Sequence, residues 1–405
     1  MKYHTIHHAV IAVIILGFGS GFALLFSSHI LLTWMLDSGI KLEFLGWISC
    51  LSLPYLSSFT WMPVLDYVAH CGGIQRQALM KVNFFTVGCL LLYLSKLTPN
   101  AHYLLILIVG FAIAFVSATQ DHIIEAYRIN MLPKSHYKPA VNLSMVAFGV
   151  ALIVAGGGGI VFAKHFSWSL MLKMASLVMF SLAFLTHFMP KEEMFKTGEG
   201  LHSHYQQAIL LIRGLKDRKR FLATLMTHRL GIFWLESMLP VLMVKLLGLS
   251  MMDVGRLYQW YGVLGLILGS FIINYKVDTS RLTWMIYKCL IIQLVLYLGF
   301  YGCTLAPQVG FLTKLLVFFE CALQGLLATI SSLWIMQKVT QSLPAFSISL
   351  WYGLGSMGRV VVGPLAAWVI AHLGWGPFMV IGMLISLIPV ILIRTKFATA
   401  TPVIA

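Results

Sequence analysis

The stretch YLLILIVGFAIAFVSATQDHIIEAYRIN, residues 103–130, runs from Tyr103 to Ala118 without a charge and then sets down Asp121, Glu125 and Arg128. About 20 consecutive apolar residues suffice to cross the hydrocarbon of a bilayer as a helix. In a helix the three charged residues are spaced i, i+4, i+7 and project from roughly one face. A charge at the centre of a spanning helix costs at least ~2.5–3.5 kcal/mol on insertion scales. The cluster is therefore expected to face a protein interior or a water-filled path rather than lipid.

The rest of the chain agrees with a membrane reading. Hydrophobic residues make up 59% of the 405 and charged residues only 10%, against about 25% charged in an ordinary soluble domain. The mean hydropathy is +0.88. So few charges cannot cover a water-exposed surface, and a polytopic membrane protein is expected. The formal charge of +15 follows from basic residues collecting in cytoplasmic loops, or in part from an anionic substrate, and gives no reason to expect nucleic acid. The first apolar segment, Ala9 to Trp34, is too long for a signal-peptide core and is read as a retained span. Six cysteines without a CxxC pair indicate neither a disulfide framework nor a metal site. There is no HExxH, GxSxG or Walker loop, so no enzyme, cofactor or nucleotide-driven pump is indicated.

Twelve spans are expected, near 9–34, 42–64, 78–98, 102–130, 140–163, 168–189, 220–245, 254–275, 282–303, 310–337, 345–372 and 375–394. Only the segment Lys191 to Arg220 turns soluble-like. This divides the chain into a six-helix bundle over 1–190, a linker over 191–219, and a second six-helix bundle over 220–405. Within the linker, His202 to Leu215 reads as a short amphipathic helix on the membrane surface. Arg76, Lys134, Lys138, the central linker, Lys276, Arg281, Arg394 and Lys396 fall on one side, against fewer basic residues such as Lys41, Lys96, Lys164 and Arg256 on the other. Both termini are expected to be cytoplasmic.

The halves echo one another. Gly39 and Gly46 recur 209 residues on as Gly248 and Gly255. Gly156, His165 and Trp168 recur 207 residues on as Gly363, His372 and Trp375. An all-α membrane protein of two six-helix repeats joined by a polar loop is the plan of the major facilitator fold, which binds a small-molecule substrate near the bilayer midplane between its halves. Gly156 to Gly159 in span 5, and Gly353, Gly355, Gly358 and Gly363 in span 11, are read as sites where helices approach closely and either lock or slide.

Several polar residues stand out at membrane depth. Asp121 and Glu125 are the candidate proton carriers, because burial and a nearby arginine push a carboxylate's pKa in opposite directions and a change of environment can swap them. The alternative is a static pairing with Arg128 that locks span 4. Glu236 in span 7 is a third candidate for protonation. Gln120, Arg128, Glu320, Gln324 and Arg359 are candidates for substrate contact. Arg359 requires a counter-charge, either a carboxylate of the chain or an anionic substrate. His29, His122 and His228 read as titratable groups or as hydrogen-bonded helix residues. Asp66, after Trp61-Met-Pro-Val-Leu65 and before Gly73 and Arg76, looks like a degraded form of the loop 2–3 motif of major facilitators. It is expected to cap a neighbouring helix and pair with Arg76 as a gating latch. Tyr67 stands where that motif commonly has an arginine, which suggests a weak latch.

The segment Ser117-Ala-Thr-Gln-Asp-His-Ile-Ile-Glu-Ala-Tyr-Arg128 resembles the AmpG-type muropeptide permeases, which carry a Ser-Ala-Ser-Gln-Asp run followed by Asp-Ala and an aromatic residue. Gly17 to Leu24, Phe319-Glu320 and Ser356-Met-Gly-Arg-Val-Val-Val-Gly-Pro364 resemble their spans 1, 10 and 11. The family's longer members carry extra C-terminal helices. The resemblance implies a monomeric, proton-driven importer of anhydro-muropeptides in a bacterial inner membrane, without cofactor, with Gln120, Asp121, Glu320 and Arg359 in the functional set. Glu125 stands where the family usually has Asp. The family's Leu-Gly-Asp of span 7 reads Leu230-Gly-Ile232 here, and Glu236, one turn later, is a candidate replacement. Siderophore permeases of the rhizobactin and pyochelin type are similar in length and remain an alternative. Acetyl-CoA transporters of the same branch, or a non-transporting scaffold, are more remote.

Overall fold

The computed structural model describes residues 2–27, 29–40, 48, 51–70, 74–133, 136–191, 201–214, 219–272, 282–305, 310–340 and 343–394. Lys41, Gly46, Cys50, Cys71, Gly73, Lys134, Leu215, Lys276, Arg281 and Lys396 lie outside these residues, as do the side chains of Lys138 and Arg394. Among the described residues the chain is helical and has no strand. Nine helices among them are long and apolar enough to cross a membrane, so the protein is multi-pass. They match expected spans 1, 3, 4, 5, 6, 9, 10, 11 and 12.

Among the described residues the other three expected spans are helical but interrupted. Span 2 comprises Leu53–Ser57, the tighter turn Ser58–Thr60, and Met62–His70. Pro54 and Pro63 each sit in the first turn of a piece, where a missing N–H has no helical partner to lose. Span 7 is made of Lys219–Thr227 and Leu230–Lys245, broken at His228 and Arg229. Span 8 runs from Met251–Leu257 through a wide π turn, Tyr258–Gly262, into Val263–Phe271. A second π turn, Leu152–Gly158, falls where span 5 carries its glycines. Without Cβ atoms the backbone there loosens at little steric cost.

The glycines of spans 5 and 11 do not all serve as close contacts. A Cβ on Gly156 or Gly159 would meet atoms only at ordinary contact distance and one on Gly363 would face open space, whereas one on Gly353 would stand 2.8 Å from the carbonyl oxygen of Leu56. Further close approaches lie outside these two glycine groups. A Cβ on Gly265 or Gly269 would collide with the backbone of Phe318 or Ala322, and one on Gly325 with that of Leu266. Spans 8 (Met251–Phe271) and 10 (Phe311–Met336) thus pack backbone to backbone through small residues.

The repeat seen in the sequence is also a repeat of local structure. Gly39 and Gly248 both adopt left-handed backbone, φ 79° and 68°, each just past a helix end. Only glycine takes that conformation freely. His165 and His372 each hydrogen-bond through Nδ1 to the carbonyl four residues back, Val161 and Trp368, at 2.9 Å. Trp168 and Trp375 each open the next span.

The chain packs as two compact units, Met1–Ile212 with Ile335–Gly353, and Arg213–Trp334 with Leu354–Ala405. The first turns of span 11 thus belong by packing to the first unit, although a division at the central linker assigns them to the other half. In the first unit span 1 packs on spans 5 and 4, and span 3 on spans 4 and 6. In the second, span 7 packs on spans 11 and 12, and span 9 on span 12. The linker helix is Leu201–Gly214; it buries His204 and Ala208 and exposes Leu201, Ile209, Leu210 and Ile212.

Candidate functional site

In the first unit, span 4 (Pro99–Met131) delivers the polar group expected of it. Gln120, His122 and Arg128 are buried, and Asp121 and Glu125 are partly buried one turn apart. The side chain of Asp121 accepts a hydrogen bond from Ser20 Oγ at 2.6 Å, which ties span 4 to the glycine-rich turn of span 1. Glu125 Oε1 pairs with Arg128 Nη2 at 3.2 Å, and the same nitrogen donates to Ser144 Oγ of span 5 at 2.9 Å. One oxygen of Glu125, both amide atoms of Gln120 and Nε of Arg128 are buried without a hydrogen-bond partner. Such groups are costly when unsatisfied, so this group has unused hydrogen-bonding capacity. His122 bonds Ser58 Oγ through Nε2 at 2.8 Å, as a hydrogen-bonded helix residue does, and Thr119 accepts from Trp61 Nε1 at 3.0 Å. Both contacts hold the tight turn of span 2 against span 4.

Asp66 is fully buried at the end of span 2. Its Oδ1 pairs with Arg76 Nη2 at 3.1 Å and accepts from the amide of Ala345 at 3.2 Å, while Oδ2 accepts from the amide of Phe346 at 2.9 Å. These amides belong to the first turn of Pro344–Ser356, where helix N–H groups otherwise have no partner. Arg76 supplies the guanidinium that Tyr67 cannot. Tyr67 instead packs edge-on against His204 of the linker helix, ring centres 5.6 Å apart.

In the second unit Arg359 has a protein counter-charge. Its Nη2 donates to Glu236 Oε1 at 3.0 Å. The side chains of the pair are 50% and 31% exposed within the structure. The guanidiniums of Arg359 and Arg229 both lie on the buried ring of Phe233, at 5.5 and 5.0 Å from its centre. Glu320 is fully buried in span 10. Gln293 of span 9 and Gln324 interact with its carboxylate, although neither carboxylate oxygen has a partner at full hydrogen-bond geometry. Among the described residues no cluster of His, Cys, Asp and Glu is arranged to hold a metal ion.

Sequence reading missed Ser20, Ser144, Gln293 and Phe233. Ser20 and Gln293 carried a usable signal, as a lone hydroxyl in a glycine run and a lone amide in the apolar segment Leu282–Leu305. Ser144 and Phe233 carried none, because their role depends on the partner they meet in space.

The arrangement of helices matches solved structures over almost the whole chain. The proton:xylose symporter XylE, bound to 6-bromo-6-deoxy-D-glucose, superposes with a TM-score of 0.69 at 14% identity, covering 99% of this chain and 97% of its own. The fucose:proton symporter FucP of E. coli gives a TM-score of 0.68 at 14% identity, covering 97% and 98%. The fold is that of the major facilitator superfamily. No family model matches this chain. By sequence it is similar to the anhydromuropeptide permease of Escherichia coli strain K12, 23% identical over 368 residues, or 90% of this chain and 75% of the permease. It is 19% identical over 395 residues to putative transporter AmpG 1 of Rickettsia bellii, covering 94% and 96%. The resemblance to the AmpG-type branch thus extends well beyond span 4. These relatives and neighbours are permeases, transporters and symporters, and the chain is not an enzyme.

Proposed function

We propose that the chain is a proton-coupled permease that imports a large polar, anionic solute across the cytoplasmic membrane of a bacterium, with anhydro-muropeptides as the solute. The observation that carries this reading is the group on span 4, where Asp121 bonds Ser20 of span 1 and Glu125 pairs with Arg128, which in turn bonds Ser144 of span 5. A carboxylate that exchanges a guanidinium partner for a proton changes the local charge by one unit. A movement of span 4 against spans 1 and 5 can therefore be linked to proton binding.

In this reading Asp121, Glu125 and Glu236 carry protons. Gln120, Arg128, Glu320, Gln324 and Arg359 contact solute, and Asp66 with Arg76 gates by holding or releasing the first turn of span 11. The protein acts as a monomer with both termini cytoplasmic. The residues 1–190 and 220–405 form the two repeats, joined by the linker 191–219.

A second reading, a siderophore importer, is favoured by Ile232. It is buried and apolar where AmpG-type permeases carry an Asp, and span 7 places its carboxylate at Glu236 instead. Uptake by proteoliposomes under an imposed pH gradient separates the two. Accumulation of a labelled anhydro-muropeptide, abolished by a protonophore, supports the first reading. Accumulation of a ferric carboxylate siderophore alone supports the second, and movement of neither overturns both.

A further inference from the structure

Span 9, Leu282–Leu305, buries Ile286, Gln293 and Tyr297 and exposes Trp284, Ile291, Val295 and Leu298. On a multi-pass protein such an apolar exposed face meets lipid. Lys288 is exposed among these residues. Its backbone lies ~9 Å along the helix from Leu282, at 1.5 Å per residue, where a bare ammonium in hydrocarbon is costly. The side chain turns back by one turn, and Lys288 Nζ lies 3.5 Å from the ring centre of Trp284. Long helical side chains lean toward the helix N-terminus, and lysine carries its ammonium to the membrane interface in this way. Trp284, two residues into the helix, is where aromatic rings collect at headgroup level. Among the described residues no carboxylate pairs with Lys288, and no acceptor takes the indole N–H of Trp284. The ring fixes the ammonium in place and leaves N–H donors of both residues for an anion.

We propose that Lys288 and Trp284 form a headgroup site for an anionic phospholipid, with the ammonium on the lipid phosphate and the acyl chains along Ile291, Val295 and Leu298. Place and charge select this partner. The anion within reach of a lipid-facing surface is a phosphodiester, and in a net anionic lipid no amine of the same headgroup offsets its charge. The internal repeat supplies a comparison. Lys81 of span 3 (Arg76–Leu94) stands 207 residues before Lys288, the offset that also relates His165 to His372 and Trp168 to Trp375. It too is exposed, beside Val82 and Phe85. At the same offset from Trp284, however, stands Gln77, which is buried and donates through Nε2 to the carbonyls of Thr186 and Met189 at 2.7 and 2.8 Å. Span 3 thus has the lysine without a ring one turn before it, and no such site is assigned there. The lipid site does not depend on which solute the protein carries or on how its transport is driven.

Native mass spectrometry tests this on the detergent-purified full-length protein, titrated with phosphatidylglycerol or with phosphatidylcholine of the same acyl chains. The unaltered protein is expected to bind its first phosphatidylglycerol more tightly than its first phosphatidylcholine. Lys288→Gln is expected to weaken phosphatidylglycerol about fivefold, the worth of one basic side chain at an anionic lipid surface, and to leave phosphatidylcholine unchanged. Trp284→Leu should also weaken phosphatidylglycerol, because the ammonium loses its platform, whereas Lys81→Gln should change neither lipid. All three side chains are exposed, so their replacement leaves the packing of the helices intact. Undiminished phosphatidylglycerol binding in Lys288→Gln or Trp284→Leu overturns the site, as does an equal loss for both lipids or an equal loss in Lys81→Gln. The comparison of the two lipids on unaltered protein depends on no variant, and the absence of a preference there overturns the site as well.

Discussion

Asp66 accepts the backbone amide of Phe346 at 2.9 Å across 280 residues of sequence, and Arg76 holds the other oxygen of the same carboxylate. Both side chains are nearly inaccessible to water. Removing one partner of a buried ion pair leaves the other charge uncompensated and costs ~3–5 kcal/mol. Asp66→Ala is thus expected to lower the thermal midpoint of the solubilised protein sharply. Asp66→Ala with Arg76→Ala should recover part of the loss. Single and double variants that lose the same small amount would show that the carboxylate holds nothing in place.

Gly17 of span 1 lies against span 5 beside the hydroxyl that Arg128 uses. A methyl group there would stand 2.7 Å from the carbonyl oxygen of Ser144 and 2.9 Å from its Cα. Backbone cannot turn aside as a side chain can. Gly17→Ala is expected to cost ~1–3 kcal/mol of overpacking and to reduce transport more than stability, since it shifts the partner of Arg128. Wild-type uptake in a Gly17→Ala protein would separate Ser144 from the function of span 4.

Asp37 offers a pH test outside the membrane spans. Burial opposes its ionisation, but Lys164 and the indole N–H of Trp168, at 2.7 Å, outweigh burial and hold its carboxyl below the ordinary 3.8. A folded-state value below the unfolded one stabilises the protein above the unfolded value. That contribution is lost as pH falls through the folded-state value. The difference in thermal midpoint between wild type and Asp37→Asn should therefore be constant above about pH 4 and shrink below it. A difference that grows on acidification would contradict the pairing.

Much of this was legible in the chain itself. Apolar runs located nine spans, and the offset of 209 residues singled out Gly39 and Gly248, which share a left-handed backbone that side chains disfavour. The spacing of Asp121, Glu125 and Arg128 put them on one face, and Asp66 was readable as a helix cap. Hydropathy did not reveal the breaks in spans 2 and 7, because a window averages composition and the breaks follow from local hydrogen bonding and proline placement. It was silent on Ile335–Gly353 joining the first unit. The sequence left the counter-charge of Arg359 open between some carboxylate of the chain and a solute, since a pair 123 residues apart is fixed only by how spans 7 and 11 pack.

The central claim is that the carboxylates of span 4 couple solute movement to protons, and Asp121→Asn in proteoliposomes tests it most directly. Asparagine keeps the size of the side chain and an oxygen for Ser20 to bond, while removing the titratable group. The expected result is loss of solute accumulation under a pH gradient, with exchange of labelled for unlabelled solute across the membrane retained. Undiminished, protonophore-sensitive accumulation by the Asp121→Asn protein would contradict it.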